Sequence, residues 1–218
     1  MASYKKGSQP FLSVSDFENI EIPVPPIEVQ QEIVRILDKF TELEAGLQAE
    51  LDARKKQYEN YRDNLLEFPD DVERVRLGDI CKIGDGLHST PKYDDNGEYF
   101  FVNGNNLRNK TLVYDSKTKR VGRDEFEKYD LKLPVNTLLM SINGTIGRVS
   151  IYAGEEVILG KSIAYFSIID NKKLDFNFLY YLLQTTYSAD YYNKSLTGSS
   201  ILNLGLAALK TYVVPLPP

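Results

Sequence analysis

Several loops of this sequence concentrate side chains suited to binding chemistry: amides, hydroxyls and basic groups beside glycines. Asparagine can pair in a bidentate manner with adenine and arginine with guanine, whereas lysine and hydroxyl groups suit phosphate oxygens. Ordinary turns use the same residue types, so that alternative stays open at each position. The pattern predicts contacts to double-stranded DNA by Gly86, His88, Ser89, Thr90, Lys92, Tyr93, Asn103, Asn105, Asn106, Arg108, Lys110, Asn143, Thr145, Arg148, Lys161, Ser162, Ser199 and Ser200.

Catalytic chemistry finds less support in the residue types. One histidine, His88, leaves few options for a histidine-based triad, and one cysteine, Cys81, excludes a cysteine-rich zinc site within the chain. The Gly-Lys-Ser sequence that begins at Gly160 is not a P-loop, because Glu155 stands where that motif needs glycine. We therefore predict no catalytic and no metal-binding residues. A standalone metal-dependent nuclease stays an open alternative, which would rest on the acidic residues Asp94, Asp95 and Glu98.

A long helix is the first element that would position these loops. Residues 27–68 follow two prolines, stop at Pro69 and contain one glycine, Gly46. Proline suits the first turn of a helix, and apolar residues then recur mostly at steps of three and four. A helix of roughly 60 Å is too long for one small domain to cover, so it needs a partner helix along its apolar seam. The seam comprises Leu37, Phe40, Leu43, Leu47, Leu51, Tyr58, Tyr61 and Leu65.

Two alternatives stay open for this segment. The helix could fold back onto its own domain along the seam, or Gly46 could divide it into two shorter helices.

The remainder of the chain, residues 75–218, alternates short β-rich runs with Gly, Asn and Asp turns. A helix is predicted from Asp175 to about Tyr192, after strands at 99–102, 137–142, 149–152 and 163–168. This pattern indicates an α+β fold class, with a mixed α/β domain of about 140 residues joined to a long amphipathic, coiled-coil-like helix.

The two ends of the chain repeat each other. Segments 12–26 and 204–218 align at a constant offset, so that Ile22 matches Val214 and both segments end in the pattern Pro-x-Pro-Pro. In the first copy the final prolines open the long helix. We therefore interpret residues 1–26 as the tail of a repeat unit, and expect either a tandem array cut within a unit or a half-length protein that pairs with itself.

Four sequence stretches carry a resemblance to a known family. The helix start IPVPPIEVQQEIVRILDKF resembles the conserved region of type I restriction–modification specificity subunits. The other three resemble parts of a target-recognition domain in that family: VRLGDICKIGDGLHSTPKY its entry strand and first loop, LLMSINGTIGRVSIY its central strand–loop–strand, and GSSILNLGLAALKTYVVPLPP its exit. The family alternates two such domains with two long antiparallel helices, whereas only one recognition domain is complete here. The resemblance implies a half-length form, whether a natural half subunit, a fragment or an engineered chain.

The resemblance also implies partners. Methyltransferase subunits, which bind S-adenosylmethionine, would dock on the helix, a restriction or translocase subunit could accompany them, and this chain would bind no cofactor itself. Two copies would pair head to tail through the apolar seam. Each recognition domain would then read one half-site in the major groove of an interrupted palindromic target.

Acidic and basic residues are distributed unevenly along the chain. Overall, 26 basic and 31 acidic residues give a net charge of −5, which argues against a simple basic nucleic-acid binder. However, residues 27–74 hold 7 basic and 13 acidic residues, whereas residues 75–218 hold 17 basic and 15 acidic residues. The acidic excess therefore lies on the helix that would meet protein, and the part that would meet DNA is mildly basic.

No targeting segment is visible, and no apolar stretch approaches the ~20 residues that a bilayer span needs. We therefore expect a soluble cytoplasmic protein, without a membrane partner and with a free buried thiol at Cys81. The alternative to a DNA-reading subunit is a coiled-coil interaction protein whose β-rich domain binds another protein or a peptide.

Overall fold

The computed structural model describes residues 14–18 and 20–217. Proximity of Cα atoms divides the chain into two compact units, Met1–Lys56 and Gln57–Pro218, and the division falls inside the long helix. The domain segments predicted from the sequence, 1–26, 27–68 and 75–218, stay predictions.

The described residues form both helices and strands, which confirms the predicted α+β class. The helices are α1 (Val14–Glu18), α2 (Ile27–Leu65), α3 (Leu77–Ile80), α4 (Arg123–Tyr129), α5 (Phe176–Leu182), α6 (Thr186–Ser195) and α7 (Leu206–Thr211). The strands are β1 (Arg74–Arg76), β2 (Cys81–Asp85), β3 (Tyr99–Val102), β4 (Leu107–Arg108), β5 (Thr111–Leu112), β6 (Lys119–Val121), β7 (Thr137–Ser141), β8 (Val149–Tyr152), β9 (Val157–Leu159), β10 (Ile163–Ile168), β11 (Leu196–Thr197), β12 (Asn203–Leu204) and β13 (Val213–Pro215).

Helix α2 begins directly after the two prolines. The carbonyl of Pro26 accepts hydrogen bonds from the amides of Val29 and Gln30, so the first turn is closed without an amide on proline. The helix continues for 39 residues through Gly46, so the alternative of two shorter helices is wrong. None of its residues is buried, although apolar residues recur along its length.

The helix predicted from Asp175 to Tyr192 is divided in two. Asp175 caps α5 by accepting hydrogen bonds from the amides of Asn177 and Phe178. Thr185 caps α6 by accepting a hydrogen bond from the amide of Ser188, in an extended backbone conformation that ends the preceding helix.

A four-stranded antiparallel sheet in the order β2-β10-β7-β8 is the centre of the second unit. Strand β7 is buried throughout, and its side chains alternate between two core clusters. Leu138 and Met140 pack with residues of α5, α6 and α7, whereas Leu139 packs with Val102, Leu159 and neighbouring residues. Because both faces are covered, this strand reads in the sequence as a continuous apolar run.

Smaller sheets surround this centre. Strand β3 pairs antiparallel with β6 and parallel with β9, and the two-stranded pairs are β1 with β13, β4 with β5 and β11 with β12. The pairing of β1 with β13 brings the two ends of segment 74–215 together, and the amide of Leu77 donates to the carbonyl of Tyr212 at 2.8 Å.

The repeat at the two ends of the chain has a counterpart in secondary structure. Helices α1 and α7 lie at matching positions of the two copies, since Val14 aligns with Leu206 and Glu18 with Lys210. The matching apolar side chains of the two copies differ in burial: Phe17 is 58% exposed, whereas Leu209 is fully buried. Leu12 and Pro218, which belong to the predicted repeat, lie outside the described residues.

Cys81 is a free, buried cysteine, as predicted. In the part of the chain that the structure describes, no helix combines the length and apolar character needed to cross a membrane.

Candidate nucleic-acid interface

The central sheet places several loops at one end. Because β10 runs antiparallel to both β2 and β7, the loops that follow those two strands lie beside the loop that precedes β10. The amide of Leu87 donates to the carbonyl of Leu159 at 2.7 Å, and the amide of Lys161 donates to the carbonyl of Leu87 at 3.0 Å. On the other side, the amide of Ile142 donates to the carbonyl of Ser162 at 2.9 Å.

Two further segments join this group. The amide of Leu204 donates to the carbonyl of Ile142 at 2.9 Å, which brings the β11–β12 hairpin alongside. The hydroxyl of Ser162 accepts from the amide of Gly104 at 3.0 Å and donates to Oδ1 of Asn103 at 3.2 Å. We call the resulting surface the loop edge; it consists of residues 86–90, 103–105, 141–148, 160–162 and 197–203.

The loop edge collects most of the predicted contact residues. The exposed ones are polar and can bond to base edges or phosphates: His88, Ser89, Thr90, Asn105, Thr145, Lys161, Ser199 and Ser200. Four further predicted contact residues of the loop edge are partly buried: Asn103, Asn143, Arg148 and Ser162. Residues far apart in the sequence are thus assembled on one surface by backbone hydrogen bonds and by the partly buried hydroxyl of Ser162.

His88 is held by its neighbour on the same loop. Its Nε2 lies 2.7 Å from Oδ2 of Asp85, and the side chain is 71% exposed. This contact orients the imidazole and leaves the other ring nitrogen available for a ligand.

Two predicted contact residues have structural roles instead. Gly86 is buried, and a Cβ atom there would lie 2.2 Å from the carbonyl oxygen of Leu159, so this glycine allows close approach of strand β9 rather than of a ligand. Asn106 is also buried: its Oδ1 accepts from the amide of Asn103, and its Nδ2 donates to Thr118 and Val113. We leave both residues out of the proposed contact surface.

Arg108 and Lys110 lie on the β4–β5 hairpin, which packs against β8. The amide of Arg108 donates to the hydroxyl of Ser150 at 3.0 Å. The ammonium of Lys110 lies over the rings of Tyr181, at 4.7 Å, and Tyr180, at 5.0 Å. Lys110 is therefore engaged with aromatic rings, while the Arg108 side chain is exposed.

A basic strand beside Tyr93 was missed by the sequence reasoning. Tyr93 forms an isolated bridge with Val121 of β6, and Nζ of Lys119 lies 5.8 Å from the centroid of the Tyr93 ring. Lys92 and Lys119 are exposed, whereas the guanidinium of Arg120 lies 4.4 Å from the centroid of the Phe100 ring and donates to the carbonyl of Gly97 at 3.1 Å. The signal is present in the sequence as the basic run Lys117, Lys119, Arg120 and Arg123.

The predicted helix seam is exposed at every position: Leu37, Phe40, Leu43, Leu47, Leu51, Tyr58, Tyr61 and Leu65. Desolvation of the Tyr58 hydroxyl, together with the neighbouring Tyr181, raises the pKa of Tyr58. Its ring also lies 5.8 Å from the guanidinium of Arg62.

The nuclease hypothesis gains no structural support. Within residues 14–18 and 20–217, no group of three or more histidine, cysteine, aspartate or glutamate side chains could hold a metal ion.

Comparison with known proteins identifies the family. The family model for the type I restriction modification DNA specificity domain matches residues 1–53 and 69–218. The specificity subunit of type I restriction enzyme EcoR124I/EcoR124II from Escherichia coli is 29% identical over 99% of this chain and 56% of its own length. A putative type I specificity subunit, S.MpnORF507P from Mycoplasma pneumoniae, is 29% identical over 97% of this chain and 54% of its own length.

A solved structure agrees with the fold. The HsdS subunit from Thermoanaerobacter tengcongensis superposes with a TM-score of 0.51 at 20% identity, over 100% of this chain and 54% of that chain. The chain thus spans about half the length of the relatives it matches. Since the family model covers nearly all of the sequence, the chain belongs to the type I restriction modification DNA specificity domain family.

Proposed function

We propose that this chain is a DNA-sequence specificity subunit of a type I restriction–modification enzyme and that its loop edge reads one half-site. The observation that carries the proposal is the assembly of the loop edge itself. Backbone hydrogen bonds and the Ser162 hydroxyl fix five separate segments side by side, and the exposed polar side chains on them are amides, hydroxyls, an imidazole and an ammonium group. Such a surface can both bind phosphates and read base edges in the major groove.

The basic strand beside Tyr93 extends this surface. Lys92 and Lys119 would neutralise phosphates next to the bases that the loop edge contacts, and Tyr93 would hold the ammonium of Lys119 in place. In this proposal the lysines contact phosphates and position the protein, whereas the side chains of the loop edge contact bases and specify the sequence.

The chain supplies recognition rather than catalysis in this proposal. Methyl transfer would be carried out by methyltransferase subunits, which bind S-adenosylmethionine, and cleavage by a restriction or translocase subunit of the same complex. The mildly basic balance of residues 75–218 and the acidic balance of residues 27–74 support separate DNA-facing and protein-facing parts.

Helix α2 would join two copies of the chain. Its apolar side chains are exposed along 39 residues, about 58 Å at the usual rise of an α-helix, and a second α2 running head to tail would cover them. Such a dimer has twofold symmetry and would read an interrupted palindrome whose half-site separation is set by the helix. The same helices would offer the docking surface for the methyltransferase subunits.

A binding measurement tests this proposal. The full chain is titrated into a random-sequence duplex, alone and together with the methyltransferase subunit from the same cells, and retention on a filter is recorded. We expect salt-sensitive retention in the presence of the methyltransferase. If neither sample retains DNA while the chain still binds the methyltransferase, the DNA-reading role is contradicted and the protein-interaction alternative is favoured.

A further inference from the structure

The turn between β11 and β12 presents two large apolar side chains on a polar surface. Ile201 is 67% exposed and Leu202 is 44% exposed, and the turn also contains Gly198, Ser199 and Ser200. Single exposed apolar residues are common on protein surfaces. Here two adjacent apolar residues lie at the tip of a turn on the loop edge. The exposed residues of the loop edge that we assign to DNA contact are otherwise polar.

This tip is held in a defined conformation. The hydroxyl of Thr197 donates to the carbonyl of Asn203 at 3.2 Å, and the amide of Gly144 donates to the carbonyl of Leu202 at 3.1 Å. Nδ2 of Asn143 donates to Oδ1 of Asn203 at 2.8 Å. The turn is therefore fastened both across its own base and to the loop that carries Thr145.

Gly198 shows how tightly the turn is folded. It has a φ of +93°, and a Cβ atom there would lie 2.4 Å from the carbonyl oxygen of Ile201. The backbone therefore needs glycine at this position, and the backbone that carries Ile201 and Leu202 is ordered before any ligand binds.

The chemistry of base pairs indicates what such side chains would contact. In the major groove every base presents hydrogen-bonding groups, and thymine alone adds an apolar one, its C5-methyl group. Resting on the proposed function above, we propose that Ile201 and Leu202 contact thymine methyl groups and make the chain specific for thymine at those positions of its half-site.

The proposal is tested with duplexes that differ only in the methyl group. A duplex carrying the target, found by locating methylated adenines in DNA from cells that hold the chain and its methyltransferase, is prepared with thymine or with deoxyuridine throughout. We expect the complex of the full chain with the methyltransferase subunit to bind the thymine duplex about fourfold more tightly for each methyl group contacted, the factor for burying one methylene-sized group.

Two variants assign the effect to the tip. Ile201→Ser is expected to bind the two duplexes with a smaller ratio than the unaltered chain. Ile169→Ser serves as the matched control, because Ile169 is 58% exposed and follows the end of β10 opposite to Ser162. We expect this control to keep the full ratio.

The possible contradictions are distinct. Equal binding of both duplexes by the unaltered chain would overturn the methyl contact, although DNA binding as such would still stand. An Ile201→Ser variant that binds both duplexes more weakly by the same factor would also overturn it, and would indicate an apolar wedge between base steps. If neither duplex is bound, the proposed function fails and this inference fails with it.

Discussion

Asp63, in the last turns of α2, accepts two hydrogen bonds from Thr186, the first residue of α6. Its Oδ2 bonds to the amide of Thr186 at 3.1 Å and also to the hydroxyl of the same residue. On the other side, the guanidinium of Arg62 lies 2.8 Å from Oδ1 of Asp63. A carboxylate on the long helix thus binds the positive N-terminal end of a second helix, within the unit Gln57–Pro218.

Replacing Asp63 by alanine should lower the free energy of unfolding of the second unit by about 1–2 kcal/mol, since charge-assisted hydrogen bonds to a helix end are lost. The full chain and the variant are compared by denaturant titration. Asp38→Ala, an exposed change on the same helix, is the control and should have little effect. Equal stability of the Asp63 variant and the unaltered chain would show that this contact contributes nothing.

The Asp63 contribution should depend on pH. Partial burial raises the pKa of the Asp63 carboxyl, but the hydrogen bonds from Thr186 and Arg62 outweigh burial and leave this pKa below its ordinary value. The stabilisation is therefore complete above about pH 3.9 and is lost as the pH falls through the lower folded-state pKa. The difference between the unaltered chain and Asp63→Ala should shrink in acid; a difference that grows in acid would contradict the assignment.

Self-association should depend on the apolar seam of α2. Leu43 and Leu47 are exposed, and each leucine buried in a dimer would contribute about 1.5–3 kcal/mol, so the double change to serine should weaken association at least about a hundredfold. Sedimentation equilibrium of the full chain measures this. Glu42→Ser on the same helix should leave association unchanged. A chain that is monomeric even with the methyltransferase present would remove the basis for pairing through α2.

Reversal of charge at Lys161 should weaken DNA binding, because this exposed lysine lies on the loop edge. Loss of one phosphate contact should also make the slope of log K against log salt shallower by about 0.9. Lys82→Glu makes the same change of charge on an exposed lysine, opposite Ser167 near the other end of β10. Equal weakening by both variants would indicate a general effect of charge rather than contact at the loop edge.

Cys81 should be unreactive in the folded protein. Burial raises the pKa of its thiol to about 12, so very little thiolate forms at pH values near the ordinary thiol pKa of about 8.5. Iodoacetamide labelling of the chain, followed by mass spectrometry, should be slow without denaturant and fast with it. Rapid labelling of the folded chain would show that the thiol is accessible.

Four strands were predictable because their local patterns are strong, whereas most of the other described strands are only two or three residues long. The predicted runs 99–102, 149–152 and 163–168 match strands β3, β8 and β10, and 137–142 matches β7 to within one residue. Which polar residues face inward was harder to predict. Asn106 resembles its exposed neighbour Asn105 in type, and its partners Val113 and Thr118 are brought to it only by the folded chain.

The break between α5 and α6 shows a similar limit. Thr185 is an ordinary residue on an amphipathic pattern, and its capping role depends on an extended backbone that the sequence marks only by a threonine followed three residues later by Ser188. The hydrogen bonds between Thr186 and Asp63 of α2 could not be predicted either, because these residues are distant in the sequence.

The most direct test of sequence recognition is selection from a random duplex library. The full chain with its methyltransferase subunit is mixed with the library, bound duplexes are recovered over several rounds, and the products are sequenced. We expect enrichment of one interrupted palindromic motif, and weaker recovery of duplexes that carry this motif when the loop edge carries Lys161→Glu. Recovery of bound DNA with no enriched motif would contradict the claim that this chain specifies a DNA sequence.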